Sequence, residues 1–430
     1  MVKIRFLGAC QEVGRSGVLI ESEETGDSIL CDYGTKTDYT QLFPEHVSGK
    51  DLSAIVLTHS HIDHCGGIPL FYISGSVPLF CTELTYQVSE ILLQDMFKIS
   101  QDYLPFGRNE LYKMRKYVNY LDYGKRRRVG KKSFITLFNA GHIPGSALIL
   151  IEMDGKKILY TGDINTIKTQ LLNPANPEEI PPLDAIITET TYGTTDHSSR
   201  AEIEDKFMEE IHRVMEIKGI ALVPAFGVSR SQEMLMVLNR DGSSSFHVTV
   251  DGMARKIATI YQRHQKMFRD GTALDQAIRA SHMINQRRRD FERKKAATSP
   301  GVIVAPSGML KGGTARYYAE NIIEDPKNSF NLVSYQAEDT PGRYLLDHGK
   351  FIKNSPEDAI DVQAKVNHFD FSSHSGKSDL IAYLNQLKFT GEKKVFCVHG
   401  ESEVLLAFAK EIQELGYTTE TPLMGQVFTL

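Results

Sequence analysis

Several devices are missing from this chain. It has five cysteines, an odd number, and no CxxC or similar pair among them. A disulfide framework or a cysteine zinc site is therefore not expected, and Cys10, Cys31, Cys65, Cys81 and Cys397 read as buried thiols. No apolar run approaches the ~20 residues that span a bilayer. The opening Met1-Val2-Lys3-Ile4-Arg5 is interrupted too soon to act as a secretion signal. These absences argue against a membrane protein and lead us to expect the cytoplasm. An excess of positive charge is absent too. The net charge is −5, so any basic surface for a polyanion must be local. There is no internal repeat and no low-complexity tract.

What is present is ordinary for a globular protein. The 430 residues, 41% hydrophobic and 24% charged, suffice for two domains with their own cores. Up to about residue 190, short β-rich runs follow one another at 3–7, 17–21, 28–31, 54–57, 134–138, 147–152, 157–160 and 183–188, with helical spacing at 85–99. From about residue 200 the pattern changes. Ile203, Phe207, Ile211 and Met215 recur at steps of four, and apolar runs at 219–224, 301–305 and 329–334 alternate with helices. This alternation predicts a parallel sheet covered by helices. The pattern of the first 190 residues returns near residue 362. The expected division is a first domain over 1–190, an inserted domain over 191–360, and a return to the first domain over 361–430.

The strongest signal is Thr58-His59-Ser60-His61-Ile62-Asp63-His64-Cys65-Gly66-Gly67. It puts four metal-competent side chains within six residues, directly after an apolar strand. Imidazole and carboxylate are ligands that zinc accepts. In an extended segment alternate residues share a side, so His59 and His61 can bind one ion while Asp63 and His64, past the turn, face another. Gly66 and Gly67 are expected to let the backbone turn tightly. A chance histidine-rich turn accounts for a lone HxH, but poorly for HxHxDH after a buried strand. Two ions sharing a carboxylate and a water need seven ligands. Three must come from elsewhere, and His142, Asp163 and His399 lie in turns or at strand ends where functional residues collect.

On these residues the sequence resembles the metallo-β-lactamase superfamily, and within it the β-CASP nucleases. The likeness is to archaeal relatives of the cleavage and polyadenylation specificity factor endonuclease and to RNase J, and it covers nearly the whole chain. Further motifs carry it: Asp32 in Leu30-Cys31-Asp32-Tyr33-Gly34, Glu189 in Thr188-Glu189-Thr190-Thr191-Tyr192-Gly193, and His374 in Phe371-Ser372-Ser373-His374-Ser375-Gly376. The resemblance implies an αββα sandwich with an inserted α/β domain, and two zinc ions per chain. His59, His61 and His142 would hold one ion, Asp63, His64 and His399 the other, with Asp163 shared. Asp32 would orient the ligand loop without touching metal. The catalytic set would be His374, Glu189 and Asp63, with His374 a general acid oriented by Glu189.

The implied reaction is hydrolysis of single-stranded RNA to 5′-phosphate and 3′-hydroxyl ends. Histidine at position 399 goes with RNA rather than DNA in that family. Endonucleolytic and 5′→3′ exonucleolytic action are both left open. The fold also hosts thioester, lactam and lactone hydrolases. A small-molecule hydrolase, a silent RNA-binding subunit and a DNA nuclease therefore stand as alternatives. The chain begins at the catalytic domain, so the N-terminal KH domains of some relatives are not expected. For RNA contacts there are basic runs at 125–132 and 287–295, neither read as carrying the interleaved aromatics of a stacking platform. Ser307, Gly308 and Arg230 are expected as substrate contacts from strand-end loops of the inserted domain. The apolar tail 422–430 reads as a last strand or a contact surface, which leaves a homodimer open.

Overall fold

Strand Val2–Gly8 shows how the first unit is built. Val2, Ile4 and Phe6 are buried while Lys3 faces solvent, the period-two pattern of a strand with one face on a core. A computed structural model describes residues 1–37, 41–240 and 246–430, and these form two compact units. The first comprises Met1–Lys168, Asn173–Asp196 and Ser373–Leu430. It holds two seven-stranded sheets. In order across the sheet, the first runs Val427–Thr429, Val2–Gly8, Gly17–Ser22, Ser28–Cys31, Ala54–Val56, Leu79–Cys81 and Val118–Tyr120. The second runs Thr418–Glu420, Phe389–Val398, Leu183–Glu189, Lys156–Tyr160, Ala147–Met153, Ser133–Asn139 and Arg127–Val129.

The facing sides of the sheets share one buried cluster: Ile4, Phe6, Ile20, Ile29 and Val56 meet Ile135, Ile149, Ile158, Ile187 and Phe396. Full burial of each such side chain contributes about 1.5–3 kcal/mol. The outer face of the first sheet packs under helix Glu83–Ser100 through Tyr86, Leu93 and Met96. That of the second packs under helices Lys377–Gln386 and Ser402–Glu414 through Leu380, Leu384, Leu405 and Phe408. The layers are therefore αββα, as expected. Ser28–Cys31 and Ala54–Val56 run parallel, as do Lys156–Tyr160, Leu183–Glu189 and Phe389–Val398. Asp32, His59, Asp163, Glu189 and His399 all sit at or just beyond the carboxyl ends of these strands.

The second unit comprises Thr169–Leu172 and His197–Ser372. Its main sheet has six strands, all parallel, in the order His282–Met283, Val248–Val250, Gly301–Ala305, Ile220–Pro224, Ser329–Leu332 and Lys365–His368. Helices such as Gly313–Ile322 cover the sheet through Ala315, Tyr318 and Ala319. By compactness the second unit runs past residue 360, where the third stretch was expected to begin. Lys365–His368 pairs with Ser329–Leu332, and the unit extends to Ser372. That strand is short, polar and nowhere fully buried, so it has no pattern of its own and only its partner identifies it. The tail resolves as a last strand, with Val427–Thr429 pairing antiparallel to Val2–Gly8.

One carboxylate pins the turn that opens the second sheet. Asp27 accepts the amides of Lys131, Lys132 and Ser133 at 2.7, 2.8 and 3.1 Å and the Ser133 hydroxyl at 2.9 Å. Burial alone would raise its pKa, but these four donors pull it down to about 2. A depressed carboxyl stabilises the fold above its unfolded pKa and loses that contribution as pH falls through the folded value. Asp27→Asn is expected to cost about 1–2 kcal/mol at pH 7. The gap between wild-type and variant urea midpoints should narrow as pH drops from 4 toward 2.

Candidate metal centre

His59 follows the strand Ala54–Val56, and the chain then enters the single helical turn Ile62–Cys65 that carries Asp63 and His64. Tight packing makes this geometry possible. A side chain on Gly34 would sit 1.6 Å from the carbonyl oxygen of Asp63. Gly162, at φ +51°, would meet Thr58 at 2.7 Å. Gly66 and Gly67 are needed for a different reason than expected. Neither has positive φ. Instead, a Cβ would collide with Thr35 at 2.4 Å and with Tyr33 at 2.6 Å.

All seven residues expected to bind metal come together. His59 Nε2 lies 3.1 Å from His61 Nδ1, which is 3.2 Å from His142 Nε2. Asp163 Oδ2 is 3.4 Å from both His59 Nε2 and His142 Nε2. On the other side, Asp163 Oδ1 is 3.2 Å from His64 Nε2 and 3.6 Å from His399 Nδ1. Asp63 Oδ2 is 3.3 Å from His399 Nε2 and 3.9 Å from His64 Nε2. Two foci thus share one carboxylate.

The outward ring atoms fix which lone pairs point inward. The His142 Nδ1 proton goes to the Ser373 carbonyl at 2.8 Å, since a carbonyl only accepts. His64 Nδ1 donates to Asp32 Oδ2 at 2.7 Å. The Thr58 hydroxyl gives its own proton to Asp32 at 2.7 Å and so accepts from His59 Nδ1 at 3.0 Å. His59 and His142 therefore turn unprotonated Nε2 atoms inward, while against burial the carboxylates of Asp163, Asp32 and Asp63 raise the pKa of His64, whose inward Nε2 would give up its proton to a metal.

Burial, aided by neighbouring imidazoles, lowers the pKa of His59 and His142 and takes His61 to about 3. These rings are neutral, as ligands must be. Burial would raise the Asp63 and Asp163 carboxyls, but the His64 and His399 rings hold both far below the usual range. Neutral nitrogens packed lone pair to lone pair repel one another. Buried Asp163 Oδ1 has no hydrogen bond of acceptable geometry. A cation resolves both problems. Four ligands about 2.0–2.1 Å from a tetrahedral zinc would stand roughly 3.3–3.4 Å apart, close to the spacings of the first focus. The residues fit a metal centre.

Beside it, His374 Nδ1 lies 2.9 and 2.8 Å from the two Glu189 carboxylate oxygens, and its Nε2 is 4.0 Å from Asp163 Oδ2. Glu189 also accepts the Ile164 amide at 2.6 Å and the Thr191 hydroxyl. Burial disfavours a charged His374 ring, but Glu189 outweighs it and raises the pKa to about 9. Three supporting groups were not singled out from the sequence. Thr58 bridges His59 and Asp32, the Tyr160 hydroxyl donates to Asp32 at 3.1 Å, and Thr191 spans Glu189 and His399. Each adjoins a motif residue, but a lone hydroxyl gives no signal of its own.

The expected substrate contacts lie in the second unit. Gly308 packs against the Phe226 amide and the Ser334 hydroxyl, and Ser307 Oγ is buried without a hydrogen-bond partner. Arg230, however, is buried and ion-paired with Glu233. A phosphate contact there would require that pair to open. Asp32 receives Thr58, His64 and Tyr160 as expected of an orienting residue. Asp32→Asn should weaken metal binding by about 10–100-fold, read by competition with a chromophoric chelator.

Three stretches match known families. Residues 12–196 match the metallo-beta-lactamase superfamily, 231–345 the Beta-Casp domain, and 359–422 the Zn-dependent metallo-hydrolase RNA specificity domain. RNase aCSPSF2 of Saccharolobus solfataricus is 36% identical over 99% of this chain and 85% of its own length. Probable RNase MJ4 of Methanocaldococcus jannaschii is 31% identical over 99% of both chains. The transcription termination factor FttA of Pyrococcus horikoshii is 33% identical over 98% of this chain and 70% of its own length. A solved structure of a protein of unknown function from Enterococcus faecalis shares the fold, with a TM-score of 0.64 at 12% identity and 100% of each chain covered. With the ligand geometry, these matches show that the chain belongs to the β-CASP ribonuclease family of the metallo-β-lactamase superfamily.

Proposed function

We propose that this protein is a two-zinc ribonuclease that hydrolyses single-stranded RNA to 5′-phosphate and 3′-hydroxyl ends. The observation that carries this reading is the convergence of His59, His61, Asp63, His64, His142, Asp163 and His399 on two foci, with the His374–Glu189 pair alongside. His59, His61 and His142 would hold one zinc, Asp63, His64 and His399 the other, with Asp163 available to both. Bound there, the ions supply a water whose pKa falls from about 15.7 toward about 7 and positive charge beside the phosphate oxygens.

The chain's own residues do the rest. Asp63 is the carboxylate ligand more open to solvent, and the neighbouring His64 and His399 rings keep it anionic. His374 stays protonated because Glu189 holds its Nδ1 proton, and its Nε2 proton goes to the leaving 3′ oxygen. The phosphorus–O3′ bond breaks as the bond from the water oxygen forms. The 2′ hydroxyl takes no part, so choice of RNA rests on binding. Two observations support RNA: His399 at its motif position, and the match of the segment carrying His374 and His399 to an RNA specificity domain. Among the described residues no helix is long and apolar enough to cross a membrane. Exposed Leu423, Met424 and Val427, at the edge of the first sheet, offer a surface on which a homodimer would close.

His374→Ala should lower kcat by about 10²–10⁴-fold with zinc content unchanged. Loss of zinc would instead make His374 a ligand. Glu189→Gln removes the charge that raises the His374 pKa, so the alkaline limb of the pH–rate profile should move to lower pH. Cleavage of 5′- and 3′-labelled RNA bearing hydroxyl, monophosphate or triphosphate 5′ ends separates endonuclease from exonuclease action. If thioesters turn over and RNA does not, the reading fails.

A further inference from the structure

In the second unit the strands Val248–Val250, His282–Met283 and Gly301–Ala305 are parallel neighbours. Their amino ends therefore gather His247, His282 and Gly301 at one edge of the sheet, with the two imidazole rings 5.6 Å apart. Helix Arg289–Ala296 closes over this edge and leaves a cavity of about 220 Å³. Arg288, Phe291 and Lys295 follow one another at steps of three and four, which puts them on one face, and all three line the cavity. Arg293 lies on another face and ties the helix down. Its Nε is 2.6 Å from the buried Asp251 carboxylate, which also accepts the Tyr318 hydroxyl at 3.1 Å.

The lining is cationic and aromatic. Phe291 is 61% exposed, with the Arg288 guanidinium 5.2 Å from its ring centre. The one carboxylate in the lining, Glu292, is already committed. It accepts the Asn285 amide at 2.8 Å and faces His282 Nε2 at 3.0 Å. Among the described residues neither Arg288 nor Lys295 forms an ion pair. A cation has no place here. Among the described residues the metal-binding groupings all lie at the centre described above, and Lys295 would repel it. A flat aromatic ring beside unpaired cations matches one ligand chemistry, a base joined to a phosphate.

We propose that this pocket is an RNA-binding site separate from the metal centre. It holds one nucleotide of a single-stranded chain, its phosphate on Lys295 and His247 and its base on Phe291. The proposal rests on the ribonuclease reading, and it corrects the expectation that the basic run 287–295 offers no aromatic platform: helical spacing puts Phe291 between Arg288 and Lys295.

The test is the holoenzyme variant Phe291→Ala/Lys295→Gln. Both side chains are exposed, and turnover of bis(p-nitrophenyl) phosphate, which needs only the metal centre, reports whether the variant is folded and metal-loaded. That turnover should be unchanged. The KM for a 30-nucleotide single-stranded RNA should rise by about 10-fold with kcat unchanged. The dependence of log KM on log salt should flatten by about 0.7, one phosphate contact on a single strand. An unaltered KM and salt slope would overturn the proposal. So would an AMP titration that shifts the His247 and His282 ring resonances while RNA KM stays put, since that marks a free-nucleotide pocket. If the wild type cleaves the diester but no RNA, the ribonuclease reading falls. Anisotropy of the same labelled RNA on wild type and variant then decides the pocket by itself.

Discussion

Asp163 is the group on which the site depends. It is 2% exposed, and its two oxygens face different sets of imidazoles. Placing a carboxylate in such an interior costs several kcal/mol unless positive charge or hydrogen bonds compensate. The compensation within the chain is incomplete. His64 and His399 bring positive charge to the Oδ1 side, but His59, His61 and His142 on the other side are neutral, and buried Oδ1 lacks a hydrogen bond of good geometry. A half-satisfied polar cluster is worse than an apolar one. The economical interpretation is that folding has arranged a set of donors that only cations complete.

The fold supplies rigidity where those donors need it. Each ligand loop starts from a strand end inside a two-sheet core, and each outward ring nitrogen discussed above is fixed by a partner that is itself held. The Asp32 carboxylate takes four donors, so His59 and His64 are oriented through one group. The backbone at the site is strained. Asp32 and His399 have φ of +57° and +49°, conformations that cost non-glycine residues about 1–3 kcal/mol each. They are held by bonds on either side, Asp32 N to the Val56 carbonyl at 2.9 Å and His399 N to the Ala9 carbonyl at 2.8 Å.

How much of this is legible in the sequence follows from the range of each interaction. The HxHxDH segment is local, so its ligands are read directly, and the need for three more led to His142, Asp163 and His399. Period-two runs and helical spacing give the strands and helices, but the αββα layering comes from the family resemblance. Legibility stops where a residue's role depends on a distant partner. Gly66 and Gly67 look like turn residues, but the constraint is Thr35 and Tyr33 pressing on them. Lys365–His368 is too polar to reveal that it completes a parallel sheet. Arg230 looks like a free cation until Glu233, one helical turn away, is seen to claim it.

Charge in the second unit follows the same logic. A protein of net charge −5 cannot attract a polyanion with its average field. What matters is which cations are left after internal pairing. Arg293 is consumed by Asp251, Arg213 and Lys365 by Glu210, and Arg240 by Asp205. In the run 287–295 the residues alternate between such duties and solvent, so its composition says little about binding. Helical geometry sorts it. The face that carries Arg293 anchors the helix, and the face that carries Arg288, Phe291 and Lys295 is left with unpaired charge and an exposed ring. Glu292 stays ionised and offsets part of that charge through Arg288. Its bonds to His282 and the Asn285 amide fix it at the sheet edge. A local positive field survives in an acidic protein because Arg288 and Lys295 face a single carboxylate in the lining.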